Sequence, residues 1–299
     1  MVVSSERSFR IMGSDAHVIV VGGPEQLAED ARRRLFDLEQ RWSRFLPNSE
    51  VNLLNDHAGE AVFLSAETVL LVERAMEAWR ITGGAFDPTV LGAVMRAGYD
   101  RSFEELGSTP VASSLVIGCT DIVISGSEVR LPAGTGFDPG GIGKGLAADL
   151  VAIEVMAAGA DGVCINLGGD LRVLGTSPDG AWTIAVEHPS FAEPISRVGL
   201  EYGAIATSTT LKRRWLVDGE ERHHLIDPHT GMPSTTDLTL ATVIAGEAWI
   251  AEVMAKAVLL RGSDRAFDLI DEHTAALVVG RDGEIVMSEG FAAFIGVEA

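Results

Sequence analysis

Glu252 and Lys256 interrupt an otherwise apolar run, "AEVMAKAVLL" (251–260), in which alanines occupy positions 251, 255 and 257. Four residues apart on a helix, the two charges share a face. They form either an ordinary helix-surface ion pair or a pair directed into a site. A second stretch with chemical potential is "FDPGGIGKGLAAD" (137–149), where Gly140, Gly141 and Gly143 lead into a helix and Lys144 follows. Backbone N–H groups and the positive helix end converge there, which suits a phosphate or diphosphate. It is not a Walker A loop, because Asp138 stands where that motif begins with glycine and Gly145 where it ends in Ser or Thr. Nor does it fit the GxGxxG pattern with a following ribose-binding acid. The alternative is a tight strand-to-helix turn whose glycines serve packing.

Three further stretches carry polar groups beyond what their elements need. In "RHHLIDPHTG" (222–231), strand alternation puts Arg222, His224 and Ile226 on one face and His223, Leu225 and Asp227 on the other. His224 beside the Asp227-Pro228 turn can transfer protons near neutral pH, or is one of a half-exposed pair at a strand edge. His224 and His229 straddle a proline turn, which is poor zinc spacing. In "TGGAFDPTV" (82–90), Phe86 either stacks on a planar ligand or belongs to the core. Asp87 reads as the N-cap of a helix whose first position is Pro88. In "NLGGD" (166–170), Gly168-Gly169 either admits close backbone approach to a ligand or makes a turn.

The elements that must position these residues alternate along the chain. Residues 7–22 read as two strands broken at Gly13. A helix is expected from about Pro24 to Phe45, with Leu27, Ala31, Leu35, Leu38, Trp42 and Phe45 at helical spacing. A second follows the N-cap Ser65, with Val69, Val72, Met76 and Trp79 inward, and stops near the glycines at 83–84. A hairpin is expected over 120–131 with its turn at Gly126-Ser127, and a third helix from the glycine turn to Gly159. Strands are expected at 161–167, 170–174, 182–187, 198–207 and 213–227, the last turning at Asp218-Gly219. The helix holding Glu252 and Lys256 comes next, then another near 264–272, and a final hairpin turning at Asp282-Gly283. Hairpins mixed with helices indicate α+β rather than a doubly wound parallel sheet.

The chain has 299 residues, enough for one large domain or two intimate lobes, and its 46% hydrophobic content supports a sizeable core. A net charge of −20 argues against a nucleic-acid or anionic-membrane surface. An anionic ligand would need a local device to hold it. Cys119 and Cys164 form no CxxC pair and no disulfide framework. The first residues reach Ser4, Glu6 and Arg7 before any apolar run, and no stretch of about 18 apolar residues could span a bilayer. The expectation is a cytoplasmic protein without membrane insertion.

The order of these motifs resembles the ApbE family of FAD:protein FMN transferases over almost the whole chain. The matching segments are "IMGSDAHV" (11–18), "WSRFLPNSEVNLLN" (42–55), "TGGAFDPTV", "DPGGIGKGLAAD", "NLGGDLRVLG" (166–175), "ATSTT" (206–210) and "HHLIDPHTG". The resemblance implies an α+β, ApbE-like (T-fold-like) architecture of mixed sheets with flanking helices in one domain. It implies FAD as substrate and transfer of FMN, with release of AMP, to a Ser or Thr hydroxyl of an acceptor flavoprotein. Met12, Phe45 and Ala85-Phe86-Asp87 would then line the flavin and its ribityl arm. Asp138, Gly140, Gly141 and Lys144 would lie at the diphosphate. Thr207 and Ser208 match a Thr-Ser-Gly segment whose glycine is Thr209 here. His224 falls where a residue assists the transfer, oriented by Asp227 or Asp138. Most of the family carries Asp and Thr at the positions of Glu252 and Lys256, which with the carbonyl of Gly143 hold magnesium. Glu252 can still supply an oxygen, whereas Lys256 offers only donors and positive charge. Lys256 therefore replaces the metal as a catalytic cation, swings aside from an altered metal site, or marks an FAD-binding protein that has lost transfer.

Overall fold

The computed structural model describes residues 4–99, 118–178, 180–217 and 219–296. The chain begins with β1 (Ser4–Ile11), β2 (Ser14–Val21), α1 (Leu27–Trp42), α2 (Glu50–Asp56), β3 (Ala61–Phe63), α3 (Ala66–Ile81) and α4 (Leu91–Arg96). There follow β4 (Val123–Ser125), β5 (Glu128–Arg130), α5 (Gly143–Ala157), β6 (Gly162–Leu167), β7 (Asp170–Gly175), β8 (Trp182–Val186), β9 (Ser196–Leu200) and β10 (Gly203–Thr209). The rest comprises β11 (Arg214–Val217), β12 (Glu220–His223), β13 (Ile226–Asp227), β14 (Met232–Pro233), β15 (Leu238–Ala245), α6 (Ala248–Arg261), β16 (Ala275–Gly280) and β17 (Ile285–Met287).

These elements form two compact units, one of residues 1–37, 144–209 and 237–299, the other of residues 38–143 and 210–236. The first is built on an eight-stranded sheet in the order β1-β2-β6-β7-β10-β15-β16-β17, every pairing antiparallel. Its core gathers Leu171, Val173, Trp182, Ile205, Leu240, Leu277 and Phe291. Helix α6 packs on β10, β15 and β7. It has no polar face: from Ala248 to Leu259 every residue but Ile250 is buried, Glu252 and Lys256 included. A helix apolar all round is an interior helix, so charges on it need partners. The second unit holds the three-stranded sheet β3-β5-β4, the hairpins β11-β12 and β13-β14, and α2 to α4. Val90, Val94, Tyr99 and Ile226 form a core there, with Trp215 packed against it.

Periodicity located the main helices. Leu27, Ala31, Leu35, Leu38 and Trp42 are all buried along α1. That helix ends at Trp42, however, so Phe45 stands beyond it, 37% exposed. Ser65 caps α3 by accepting from the Thr68 N–H. Other expectations need correction. Asp87 is not a helix N-cap and Pro88 opens no helix: Asp87 accepts from the Thr89 N–H at 2.7 Å and from its hydroxyl, closing a turn, and α4 starts later, after Val90. The helix expected near 264–272 is instead a 3₁₀ turn (Ser263–Arg265) followed by turns. Asp237 takes both the Ser263 N–H and hydroxyl there, and Asp271 binds Thr274 and His273, so local side-chain bonds displace the helical ladder. The segment 213–227 breaks at His224-Leu225 into β12 and β13 rather than running as one hairpin arm. Val217 pairs with Glu220 across the expected two-residue turn, of which Asp218 lies outside the described residues.

Candidate functional site

Sequence-predicted residues fall in both units. In the first unit, Met12 and Gly13 are the two-residue turn of the β1-β2 hairpin, with Ile11 opposite Ser14. Both have positive φ, 50° and 66°. This turn favours Asn-Gly, and a methionine held left-handed costs roughly 1–2 kcal/mol. Gly168 (φ 68°) and Gly169 (φ 101°) likewise make a tight turn, between β6 and β7. That turn delivers Asp170 to the start of β7, where its carboxylate is ion-paired to the Lys144 ammonium. The same ammonium lies 3.2 Å from Glu252 Oε1. Glu252 Oε2 accepts from the Gly145 N–H at 2.8 Å. Glu252 thus places a carboxylate at the start of α5, where the chain was expected to hold an anion. Lys256, one turn along α6, is 8% exposed. Thr207 shares a hydroxyl–hydroxyl bond with Thr242 at 2.8 Å, and the Thr209 hydroxyl donates to the Thr239 carbonyl. Ser208 is half-buried between them on β10.

Two buried residues that sequence reasoning missed support this cluster. Asp149 on α5 accepts from the N–H groups of Ala248 and Trp249, each at 2.9 Å, and so caps α6. Arg172 on β7 places Nε 3.0 Å from the Asp149 carboxylate. Its other nitrogens donate to the Gly246 carbonyl and, at 3.1 Å, to the Tyr202 hydroxyl. Burial pushes the Asp149 carboxyl up to about 6, opposed by the Ala248 and Trp249 N–H groups and by Arg172, while Glu247 adds to the rise. The one signal in sequence was the aspartate closing the "GGIGKGLAAD" segment.

In the second unit, Asp138 accepts from the Gly140 N–H at 3.0 Å and faces Arg44 Nε at 3.5 Å. The Gly143 N–H bonds the Pro139 carbonyl, and Gly141 is left-handed (φ 102°). Arg44 also donates to the Tyr99 carbonyl, and its guanidinium lies over both the Phe45 and Tyr99 rings, 4.1 and 4.6 Å from their centroids. Tyr99 in turn meets Trp215 at 5.5 Å and the His224 ring edge-on at 6.5 Å. Arg44 and Tyr99, neither expected from sequence, therefore bring Phe45, Asp138 and His224 into one cluster. Phe86 is wholly buried, its N–H bonded to the Thr82 hydroxyl, with Ala85 beside it in the same turn. Asp227 is committed to its turn, accepting from the His229 N–H and the Thr230 hydroxyl.

An antiparallel sheet backed by an interior helix, with one lysine between two carboxylates at a second helix's start, defines the site of an α+β protein. The chain belongs to the ApbE family, whose sequence model matches residues 12–279. It is similar to the FAD:protein FMN transferase of Vibrio cholerae, 27% identical over 266 residues, covering 85% of this chain and 78% of that relative. It is also similar to the FAD:protein FMN transferase of Rhodobacter capsulatus, 28% identical over 271 residues and 86% of this chain. The chain spans about half (51%) of that longer relative. Among solved structures, the ApbE protein of Thermotoga maritima superposes with a TM-score of 0.89 at 28% identity, over 98% of this chain and all of the other.

Proposed function

We infer that this chain, acting as a single ApbE-like domain, transfers FMN from FAD to a Ser or Thr hydroxyl of an acceptor flavoprotein. The observation that carries this is membership of the ApbE family, with relatives of that activity matching most of the chain. The acceptor oxygen attacks the phosphorus of the FMN half, the diphosphate P–O bond breaks, and AMP leaves with the bonding electrons. Catalysis of such a step is mostly orientation and neutralisation of developing charge. In the first unit, Lys144, already between Asp170 and Glu252, and Lys256 would supply the positive charge for a diphosphate. In the second, the Phe45 and Tyr99 rings suit a flavin, and His224 is the base for the hydroxyl proton.

The residues present do not fit magnesium. Glu252 already has one oxygen against Lys144 and the other on the Gly145 N–H. Lys256, where the family's second oxygen ligand stands, offers no lone pair. Among the described residues no group of three or more His, Cys, Asp or Glu is arranged to hold a metal ion. The reading is that lysine charge does the metal's neutralising work. No helix among the described residues is long and apolar enough to cross a membrane. A cytoplasmic acceptor is proposed, in keeping with the two cysteines being free thiols.

Incubation with FAD and a flavoprotein acceptor tests the function. A flavin-fluorescent acceptor band in a denaturing gel, with matching AMP release, is expected, and EDTA should leave both intact. Tight FAD binding with neither product would establish a flavin carrier instead. Labelling that requires added magnesium would refute the lysine reading alone.

A further inference from the structure

Helices α5 and α6 exchange carboxylates. Asp149 of α5 bonds the first two N–H groups of α6, while Glu252 of α6 bonds the Gly145 N–H in the first turn of α5. The backbones meet closely enough that a Cβ on Gly145 would sit 2.4 Å from the Ala248 carbonyl oxygen. The depth at which Asp149 seats the start of α6 therefore fixes where Glu252, one turn later, meets Lys144. Arg172 locks Asp149 from the sheet side: its side chain and that of Asp149 are 3% and 6% exposed. Its remaining bonds go to Gly246, just ahead of α6, and to Tyr202. Neither Asp149 nor Arg172 is needed to make α6 helical, since its apolar surface already ensures burial. Two buried charges here demand another reason.

We propose that Asp149 and Arg172 are positioning residues for FMN transfer, seating α6 on α5 so that Glu252 and Lys256 stand in register with Lys144. This rests on the transferase reading above. Charged Asp149 accepts both N–H bonds and the ion pair. The groups facing Asp149 are Arg172 and Glu247, with Tyr202 reached through Arg172. Burial outweighs these partners and raises the carboxyl to about 6, so a seated Asp149 takes up a proton more readily than a free one and acidification does not by itself unseat α6.

The test is kcat and KM for FAD at pH 7, with melting temperature and intrinsic tryptophan fluorescence recorded without substrate. Asp149→Asn keeps the shape and removes the charge that pairs with Arg172, so kcat should fall roughly tenfold while KM for FAD changes less than about twofold. A merely structural role would lower the melting temperature and leave kcat per folded molecule at the wild-type value, and that result overturns the proposal. Should that variant not fold, Arg172→Lys serves. Only Nε of Arg172 faces Asp149, its other nitrogens being committed to Gly246 and Tyr202, so lysine keeps the charge and loses those bonds. Its kcat should fall several-fold, and a wild-type kcat overturns the proposal. Fluorescence separates the two claims. The Trp249 N–H carries one of the Asp149 bonds, so Asp149→Asn emission should differ from wild type, and the difference should vanish in a Trp249→Phe background. Proteins that show this difference but transfer nothing would fault the transferase reading; transfer with no emission difference would fault the seat.

Discussion

Replacing Lys256 by methionine is expected to lower FMN transfer by about 10²–10³-fold while leaving the melting temperature unchanged or raised. The two effects separate because a buried ammonium is a poor source of stability. Methionine keeps the length and fills the same space among the alanines of α6 without the desolvation penalty. What is lost is positive charge near the developing charge on phosphorus. Parallel loss of stability and activity would mean that Lys256 is a structural partner rather than a reactive one. Lys256→Thr sharpens the result. Its hydroxyl supplies an oxygen one turn from Glu252, so activity should become responsive to magnesium and sensitive to EDTA. An unchanged metal response in that variant would count against lysine standing in for a metal.

Gly145→Ala should be a damaging small change in the first unit. On helix propensity alone it would stabilise α5 by about 1 kcal/mol. The packing decides otherwise: the new Cβ would lie 2.4 Å from the Ala248 oxygen, 2.5 Å from its carbonyl carbon and 2.7 Å from the Trp249 Cα. Those are backbone atoms that cannot swing aside, and overpacking of this kind costs typically about 1–3 kcal/mol. Separation of the helices would also stretch the 2.8 Å bond from Gly145 to Glu252. A displacement near 1 Å at a reacting centre is worth about 100-fold in rate. Urea midpoints and transfer rates measured together check this. A variant as stable and active as wild type would show that α5 and α6 slide apart without consequence.

The sequence was most legible where a local rule governs. The α1 periodicity from Leu27 to Trp42 and the Ser65 cap of α3 concern residues a few positions apart, and both hold. The ordered glycine segments led to the family because short turns need glycine wherever the chain runs left-handed, as at Gly168 and Gly169. Asp87 and the 264–272 segment misled because Asp and Ser side chains compete locally with the helical ladder, and propensity alone does not say which wins. Arg44, Tyr99, Asp170 and Arg172 were invisible for another reason. Arg44 meets Tyr99 from 55 residues away, and Lys144 meets Asp170 from 26. No period or spacing encodes such meetings; only the fold makes them. The Glu252-Lys256 face was legible as unusual, but the partners of Glu252 on α5 were not.

The exchange of carboxylates between α5 and α6 bears on how the protein folds and breathes. The bonds from Gly145 to Glu252, from Ala248 to Asp149 and from Trp249 to Asp149 close loops of 107, 99 and 100 residues. Each helix therefore leaves donors at its start unsatisfied until the other has docked, and neither docking is favoured by short-range contacts. The pair forms a single cooperative unit assembled late, after distant parts of the chain have met. Amide hydrogens at Gly145, Ala248 and Trp249 should then exchange through one shared opening, with equal protection. Early exchange at Gly145 alone would show that the helices open independently. A chain assembled this way cannot loosen the helix bearing Lys256 without also releasing the start of the helix bearing Lys144.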